Sequence, residues 1–350
     1  IASSAIARLN IYTIRIVPNG DGPGGSDLYY TTSRTAQFIS DRIEFYLSGV
    51  EDLRINVNDT GVVWWSARYE YDNTTITGAL TAQLNVSELL IWNALASRWE
   101  YQEVSQSVAQ IGYSILSASE STFGITGWIQ STSDVAIIWD LIVVRSYSVI
   151  DTRVNVTDTV DIDVVLEYEY DDSYITDGVV LINSATASYQ GLGIWRVSES
   201  QSDVMGITYD SVSCIDNEFN ITSVNQNAQS QLVVCDCIVV LSYDIIDSHV
   251  NVNDTINIDV SLVYEYDSSV VENGDVTING YTASYIGSGI WRITQSRTSI
   301  QSMTYNAVVC SGNAFGISVV NQNDQSATII WDQIIVQSYS VIDDRVNVND

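Results

Sequence analysis

Lysine is absent from this chain, histidine occurs once, at His249, and proline only twice, at Pro18 and Pro23. Each scarcity closes off a class of function. With 13 arginines against 43 acidic residues there is no basic footprint for phosphate, so no nucleic-acid partner is expected. The same balance excludes a polybasic membrane anchor, and the lack of lysine excludes any Lys–Asn isopeptide crosslink within the chain. One histidine cannot supply a Ser–His–Asp triad or a His-ligated zinc site without another chain. His249 aligns with Arg153 and Arg345 at a repeat junction and reads as a surface residue. No apolar run reaches the roughly 18 residues that span a bilayer, so no membrane span is expected. The opening IASSAIARLN is too short and polar for a signal peptide, so either a leader has been removed or this is a piece of something longer. There is no Walker loop and no GxGxxG backed by a helix. Carboxylates are so common that no pair stands out as a glycosidase dyad. The expectation is a protein that is not an enzyme.

What is present is the vocabulary of β-structure. Hydrophobic residues make up 46% of the 350, enough to bury real cores, and Ile, Val, Thr, Tyr and Ser are abundant. The formal net charge of -30 keeps such chains soluble and makes them repel one another. Assembly therefore needs cations, high salt or strong contacts.

Internal repetition is the main fact. SYSVIDTRVNVTD from Ser146, SYDIIDSHVNVND from Ser242 and SYSVIDDRVNVND from Ser338 follow one another at steps of 96 residues. The same step links Trp99, Trp195 and Trp291, and Asp140, Asp236 and Asp332. An earlier copy of the motif begins at Asp41, 99 residues before Asp140. A period of this length suits one autonomous β-sandwich of about 100 residues and is too long for a solenoid unit. The expected division is 48–146, 147–242 and 243–338 as three units. Residues 1–47 then read as the last strands of an incomplete unit and 339–350 as the first strand of a following one, completed by a neighbour through strand donation or cut from a longer array.

Val160 to Tyr170 alternates apolar and mostly acidic residues, and Ile256 to Tyr266 alternates apolar and mostly polar ones, which predicts half-buried antiparallel strands. Asp177-Gly178, Asn273-Gly274, Asn279-Gly280 and Gly287/Gly289 predict the turns. About seven short strands per unit and no amphipathic helix give an all-β fold of tandem immunoglobulin-like β-sandwich domains, beads on a string.

The run VNVNDTINIDVSLVYEYD…NGYTASYIGSGIWRIT…VNQNDQSATIIWDQIIVQSYSVID resembles the Ig-like repeats of large prokaryotic surface proteins, archaeal S-layer and surface-filament proteins among them. The resemblance covers residues 41–350. It implies a secreted, cell-surface location, glycosylation and a scaffold role, and brings no catalytic residues. The function expected is an extracellular structural subunit of a surface filament or S-layer that associates with copies of itself. The alternative is an adhesin stalk or carbohydrate-binding module.

Calcium is the cofactor that the acidic junctions suggest, because it takes several oxygen ligands. The candidates are Asp151 and Asp158, Asp247 and Asp254, and Asp343 and Asp344, with a solvated acidic turn as the competing and preferred reading. Asn19–Asp27 is a second such loop, without the acidic twelfth position of an EF-hand. Asp140, Asp236 and Asp332, set among apolar neighbours, are expected to be buried carboxylates that accept backbone N–H bonds. Trp99, Trp195 and Trp291 are expected in cores, while Trp64, on the polar side of its strand, is the best candidate for an exposed aromatic. Sequons for N-linked glycans occur at Asn58, Asn73, Asn85, Asn155, Asn220 and Asn253. Cys235 and Cys237 point the same way on one strand and pair poorly with each other. The expected disulfide is Cys214–Cys235, with Cys237 and Cys310 free or joining chains. A site of three thiolates is a remote alternative.

Overall fold

The computed structural model describes residues 8–16 and 32–340, and among these there are strands and turns but no helix. The chain divides into two compact units. One holds Ile1–Val144, Leu166–Val180 and Ser213–Asn227; the other holds Arg145–Val165, Leu181–Val212 and Ala228–Asp350.

In the second unit, the third repeat is a complete sandwich. One layer runs Ser284–Gly287, Ile290–Ser296, Thr255–Tyr264, Ile238–Ile245, with the short strand Val320–Asn321 parallel on its edge. The facing layer is built around the kinked segment 301–311. Its first half, Gln301–Tyr305, pairs with Ala327–Asp332, and its second half, Val308–Ser311, pairs with Asp275–Ile278. His249–Asn251 lies parallel to Ile330–Asp332. A first strand that pairs antiparallel in one layer and then crosses to pair parallel with the last strand of the other is the immunoglobulin-like arrangement. The first unit contains the same sandwich in the first repeat, from Ile43–Val50 to Val135–Asp140.

Period-two alternation explains the layers. Ile256, Ile258, Val260, Leu262 and Tyr264 are all buried, while the residues between them face outward until the strand ends. Trp291 sits opposite Val260 in the next strand, meets Tyr285 at 5.2 Å and donates its Nε1–H to the Val271 carbonyl at 3.0 Å. Trp99 does the same toward Ile76 at 2.9 Å, so its indole is core with its one polar group satisfied. Trp139 and Trp331 are fully buried from the other layer.

Strand pairing moves the seams from where the repeat count put them. Ile43–Val50 pairs with Thr60–Tyr69, and Ile238–Ile245 with Thr255–Tyr264, so each opens the repeat that follows it. The seams fall directly after Asp140 and Asp236, rather than near residues 146 and 242. The long apolar run at these two seams is two strands: the first closes one sandwich and the second begins the next. Within 1–47, Arg8–Ile16 and Thr32–Ser40 form a two-stranded hairpin. Residues 341–350 lie outside the described residues.

Candidate functional site: an arginine clamp at two seams

The YEYD motif does not stay in its strand. Tyr168 and Tyr264 are the last strand residues, and the chain then turns, so that the next tyrosine presents its backbone N–H to the seam, with its ring 5.8 Å (Tyr170) or 6.0 Å (Tyr266) from the seam arginine, Arg54 or Arg153. In the first unit, Asp140 Oδ1 accepts the N–H of Tyr170 at 2.9 Å, and its Oδ2 accepts Arg54 Nε–H at 2.7 Å. Arg54 also forks onto Asp171, at 3.1 and 3.0 Å. Its guanidinium lies over the rings of Tyr168, at 4.3 Å, and Phe219, at 4.5 Å. One arginine of the first repeat thus holds the last acid of its own repeat and an acid and two rings of the next.

The second unit repeats the arrangement. Arg153 donates to Asp236 at 2.8 Å and forks onto Asp267 at 3.0 and 3.1 Å, over Tyr264 at 4.7 Å and Phe315 at 4.3 Å. Asp236 accepts the backbone N–H groups of Cys237 and Tyr266, at 2.8 and 2.9 Å. Asp140 and Asp236 are completely buried. Burial of a carboxylate is tolerable only with this many partners.

A second lock lies two residues along the same short strand. Asn56 Oδ1 accepts the N–H groups of Thr222 and Ser223 at 2.6 and 2.8 Å, and Asn155 Oδ1 those of Ser318 and Val319 at 2.6 and 2.9 Å. Their amide groups are in turn held by Asp59 and Asp158, at 3.0 and 2.9 Å. Arg-x-Asn on the strand is therefore one device, with the cation and the amide reaching the same neighbour.

Electrostatics follow from these contacts. Burial opposes ionisation of Asp171, but the hydrogen bonds from Arg54 and then Ser173 win and hold its pKa at about 2. Asp267 is held well below the usual carboxylate range, first by Arg153 and then by Ser269.

The third copy of the device differs. His249 replaces the arginine, its Nε2 stands 3.4 Å from Asp332 Oδ2, and the Asp332 side chain is 53% exposed. Burial of the junction aspartate therefore depends on a following repeat packed against it, and Asp332 lacks that cover among the described residues.

Of the calcium candidates, Asp151 and Asp158 line one cleft, together with Arg153. Asp158 and Asp254 are exposed and accept the side-chain amides of Asn155 and Asn251, and Asp247 accepts the N–H of His249. Asp151 is exposed. Among the described residues no three His, Cys, Asp or Glu side chains come together as a metal site. The acids that do gather at the seams are met by a guanidinium. Asp343, Asp344 and the loop at 19–27 lie outside the described residues.

Of the sequons, Asn58, Asn73, Asn220 and Asn253 are exposed in the left-handed region, at φ of 69°, 61°, 54° and 72°. Asn85 is exposed too, but its amide donates to the Gly112 carbonyl at 3.0 Å. Asn155 is a seam residue, with both ends of its amide engaged.

The Cys214–Cys235 disulfide is not formed: all four thiols are free and buried. Each packs as a small apolar side chain, Cys214, Cys235 and Cys310 on strands and Cys237 between two of them. Cys235 occupies the place of Trp139 and Trp331, while Cys214 and Cys310 lie at equivalent positions and receive Asn217 and Asn313 amides at 3.5 Å. Burial and then Glu265, which accepts from its Sγ at 2.8 Å, push the Cys237 thiol up to about 12.

Trp64 is not an open platform. It is half-buried, packed on Gly49, with the Arg98 guanidinium 5.1 Å from its ring.

The clamp arginines themselves were not singled out by the sequence. The signal was there: Arg54, Arg153 and Arg345 stand at one repeat position, among few cations in a chain of 43 acids.

No protein-family model and no curated protein matches this chain. Among solved structures, the Escherichia coli adhesin FdeC aligns over 84% of this chain and 97% of its own, at 11% identity and a TM-score of 0.30. Invasin, a bacterial integrin-binding protein, aligns over 82% and 60%, at 10% identity and 0.28. Three N-terminal domains of the outer capsid protein Hoc of bacteriophage RB49 align over 83% and 97%, at 8% identity and 0.32. The fold assignment rests on the strand pairings.

Proposed function

We propose that this chain is a non-enzymatic, extracellular spacer: tandem Ig-like repeats stiffened at their seams, serving as the repeating subunit of a cell-surface filament or layer. The observation that carries the reading is the duplicated arginine clamp. Arg54 and Arg153, 99 residues apart, make the same contacts to two acids and two rings. Bidentate guanidinium–carboxylate geometry over aromatic faces fixes orientation as well as distance. A catalytic or ligand site needs building once, whereas a joint needs building at every seam. The excess acid makes neighbouring molecules repel, so contacts between copies must be specific.

Electron microscopy of the native material, with and without a calcium chelator, tests this. Ordered filaments or sheets made of this chain support it, and the clamps predict that they survive chelation. Isolated flexible rods in both conditions overturn it.

An adhesin reading is favoured by one feature. The first repeat alone carries an edge strand, Ile91–Asn93, flanked by Leu89 and Leu95, with Ile91 73% and Leu95 100% exposed. The matching edges, Ser188–Gly191 and Ser284–Gly287, are less apolar: each carries one tyrosine and one exposed aliphatic residue, Leu192 just past the first and Ile286 within the second. Adhesion of coated beads to host or neighbouring cells, lost on Leu95→Ser, separates this role from the spacer.

A further inference from the structure

The first repeat carries the receiving half of a clamp. Tyr69 and Phe123 meet edge to face at 5.5 Å, as Tyr168 and Phe219 do at 5.2 Å beneath Arg54. Asp72 accepts the N–H of Thr74 at 2.9 Å, as Asp171 accepts that of Ser173 at 3.1 Å. Asp41 accepts the N–H groups of Arg42 and Tyr71 at 2.8 and 3.0 Å, as Asp236 does those of Cys237 and Tyr266. Every acceptor and ring of the clamp is thus in place. Phe123, however, is 70% exposed, against 45% for Phe315 under Arg153.

The strand leading into this seat has one edge unpaired among the described residues. Val135–Asp140, which leads into the first clamp, is paired on both sides, by Ala109–Tyr113 and by Arg54–Asn56. Among the described residues, its counterpart Thr32–Ser40 belongs to a two-stranded sheet and pairs with Arg8–Ile16 alone. Phe38 and Ile39 on it are 58% and 57% exposed. An isolated hairpin of this kind is marginal in water without a further strand.

The sequence holds one more copy of the Arg-x-Asn segment. Arg345-Val346-Asn347 repeats Arg153-Val154-Asn155 two periods of 96 residues later, outside the described residues. We propose that this segment of one copy adds to the open edge of Ile39–Asp41 in a second copy, joining copies head to tail. The register follows from the first seam, where Arg54 faces Ile138 and Asn56 faces Asp140 in parallel. Arg345 then lies opposite Ile39 and Asn347 opposite Asp41. The guanidinium reaches Asp41 and Asp72 over Tyr69 and Phe123, and the Asn347 carbonyl meets the N–H groups of Thr126 and Gly127. Strand addition alone is indifferent to sequence; the arginine makes this edge specific, because it delivers a cation to an acidic seat. The contact deepens the scaffold reading and rests on it.

Sedimentation velocity of the full chain over a concentration series tests the contact, using Arg345→Ala and Asp72→Asn separately and mixed. The wild type is expected to form an open series of oligomers. Each variant alone should associate at least about tenfold more weakly, as for truncation of a charge pair at an interface. A 1:1 mixture should form dimers and stop there, since one variant keeps its seat and the other its strand. Should Asp72→Asn unfold, a synthetic peptide of residues 333–350 must instead break wild-type oligomers to monomers, and the same peptide with Arg345→Ala must not. A chain monomeric throughout, or association untouched by both substitutions, overturns the proposal. If such a monomer is still found in ordered native filaments, only this contact falls and the scaffold reading stands.

Discussion

Arg54 and Asp140 stand 86 residues apart and meet at 2.7 Å, with the carboxylate completely buried. Charges so placed gain Coulomb energy in a poor dielectric but lose their hydration, and the balance is close when both are present. When one is removed, the balance is not close.

Arg54→Ala should therefore cost about 3–5 kcal/mol, the usual penalty for stranding one member of a buried pair. Urea unfolding of wild type and variant measures it. Arg54→Lys should recover only part, because an ammonium cannot fork onto Asp171 while bonding Asp140. Arg153→Ala should behave alike in the second unit.

The pH dependence has a definite sign. Asp171 is held at about 2, below its ordinary 3.8, so its contribution is complete above about pH 4 and is lost as pH falls through about 2. Unfolding midpoints should be flat from pH 5 to 7 and drop between pH 4 and 2. Asp171→Asn should flatten part of that drop, which a pH series of thermal melts will show.

Gly274→Ala should destabilise the third repeat by about 1–3 kcal/mol, the cost of a side chain in a forbidden backbone region. Its φ is 118°, and a Cβ there would come within 2.7 Å of the Ser311 carbonyl oxygen. Gly178, at φ 100° and 2.7 Å from the Ile215 carbonyl, should respond in the same way. Thermal melts of the two single variants compare them.

All four cysteines should be silent to a thiol reagent in the native protein and titrate as four thiols after denaturation. Burial raises each of them, and the thiolate is the reactive form. Fewer than four under non-reducing conditions would restore the disulfide.

Calcium chelation should leave the melting temperature unchanged, because the seam acids are neutralised by Arg54 and Arg153. A fall of several degrees with EDTA, reversed by added calcium, would return the metal to the seams.

Much of the fold could be read from the chain because the signals are local. Alternation from Thr255 to Tyr264 names a strand and its buried face, and the Asn-Gly and Asp-Gly turns name positions where the backbone needs glycine. The 96-residue step set the repeat length. It did not set the phase of the seams, since a period looks the same wherever counting begins. Only the pairing of Ile238–Ile245 with Thr255–Tyr264 assigned that strand to the repeat that follows it.

The clamp was less legible. Asp140 and Asp236 could be named as buried acceptors from their apolar neighbours. The cation that faces them could not, because Arg54 lies 86 residues from Asp140 and 117 from Asp171. Counting oxygens along the chain pointed to calcium, since the guanidinium arrives from another part of the chain.

By itself, then, the sequence determined an all-β chain of near-identical sandwiches, their turns and their tryptophan cores. Period two, φ preference and side-chain size act over a few residues and survive without the rest of the chain. The tertiary structure decided where one sandwich ends, that Trp64 is half-buried, that the cysteines stay apart, and that the seams after Asp140 and Asp236 are locked by arginine. Those outcomes depend on which surfaces meet once the sheets are stacked, and distances through space are not written in distances along the chain.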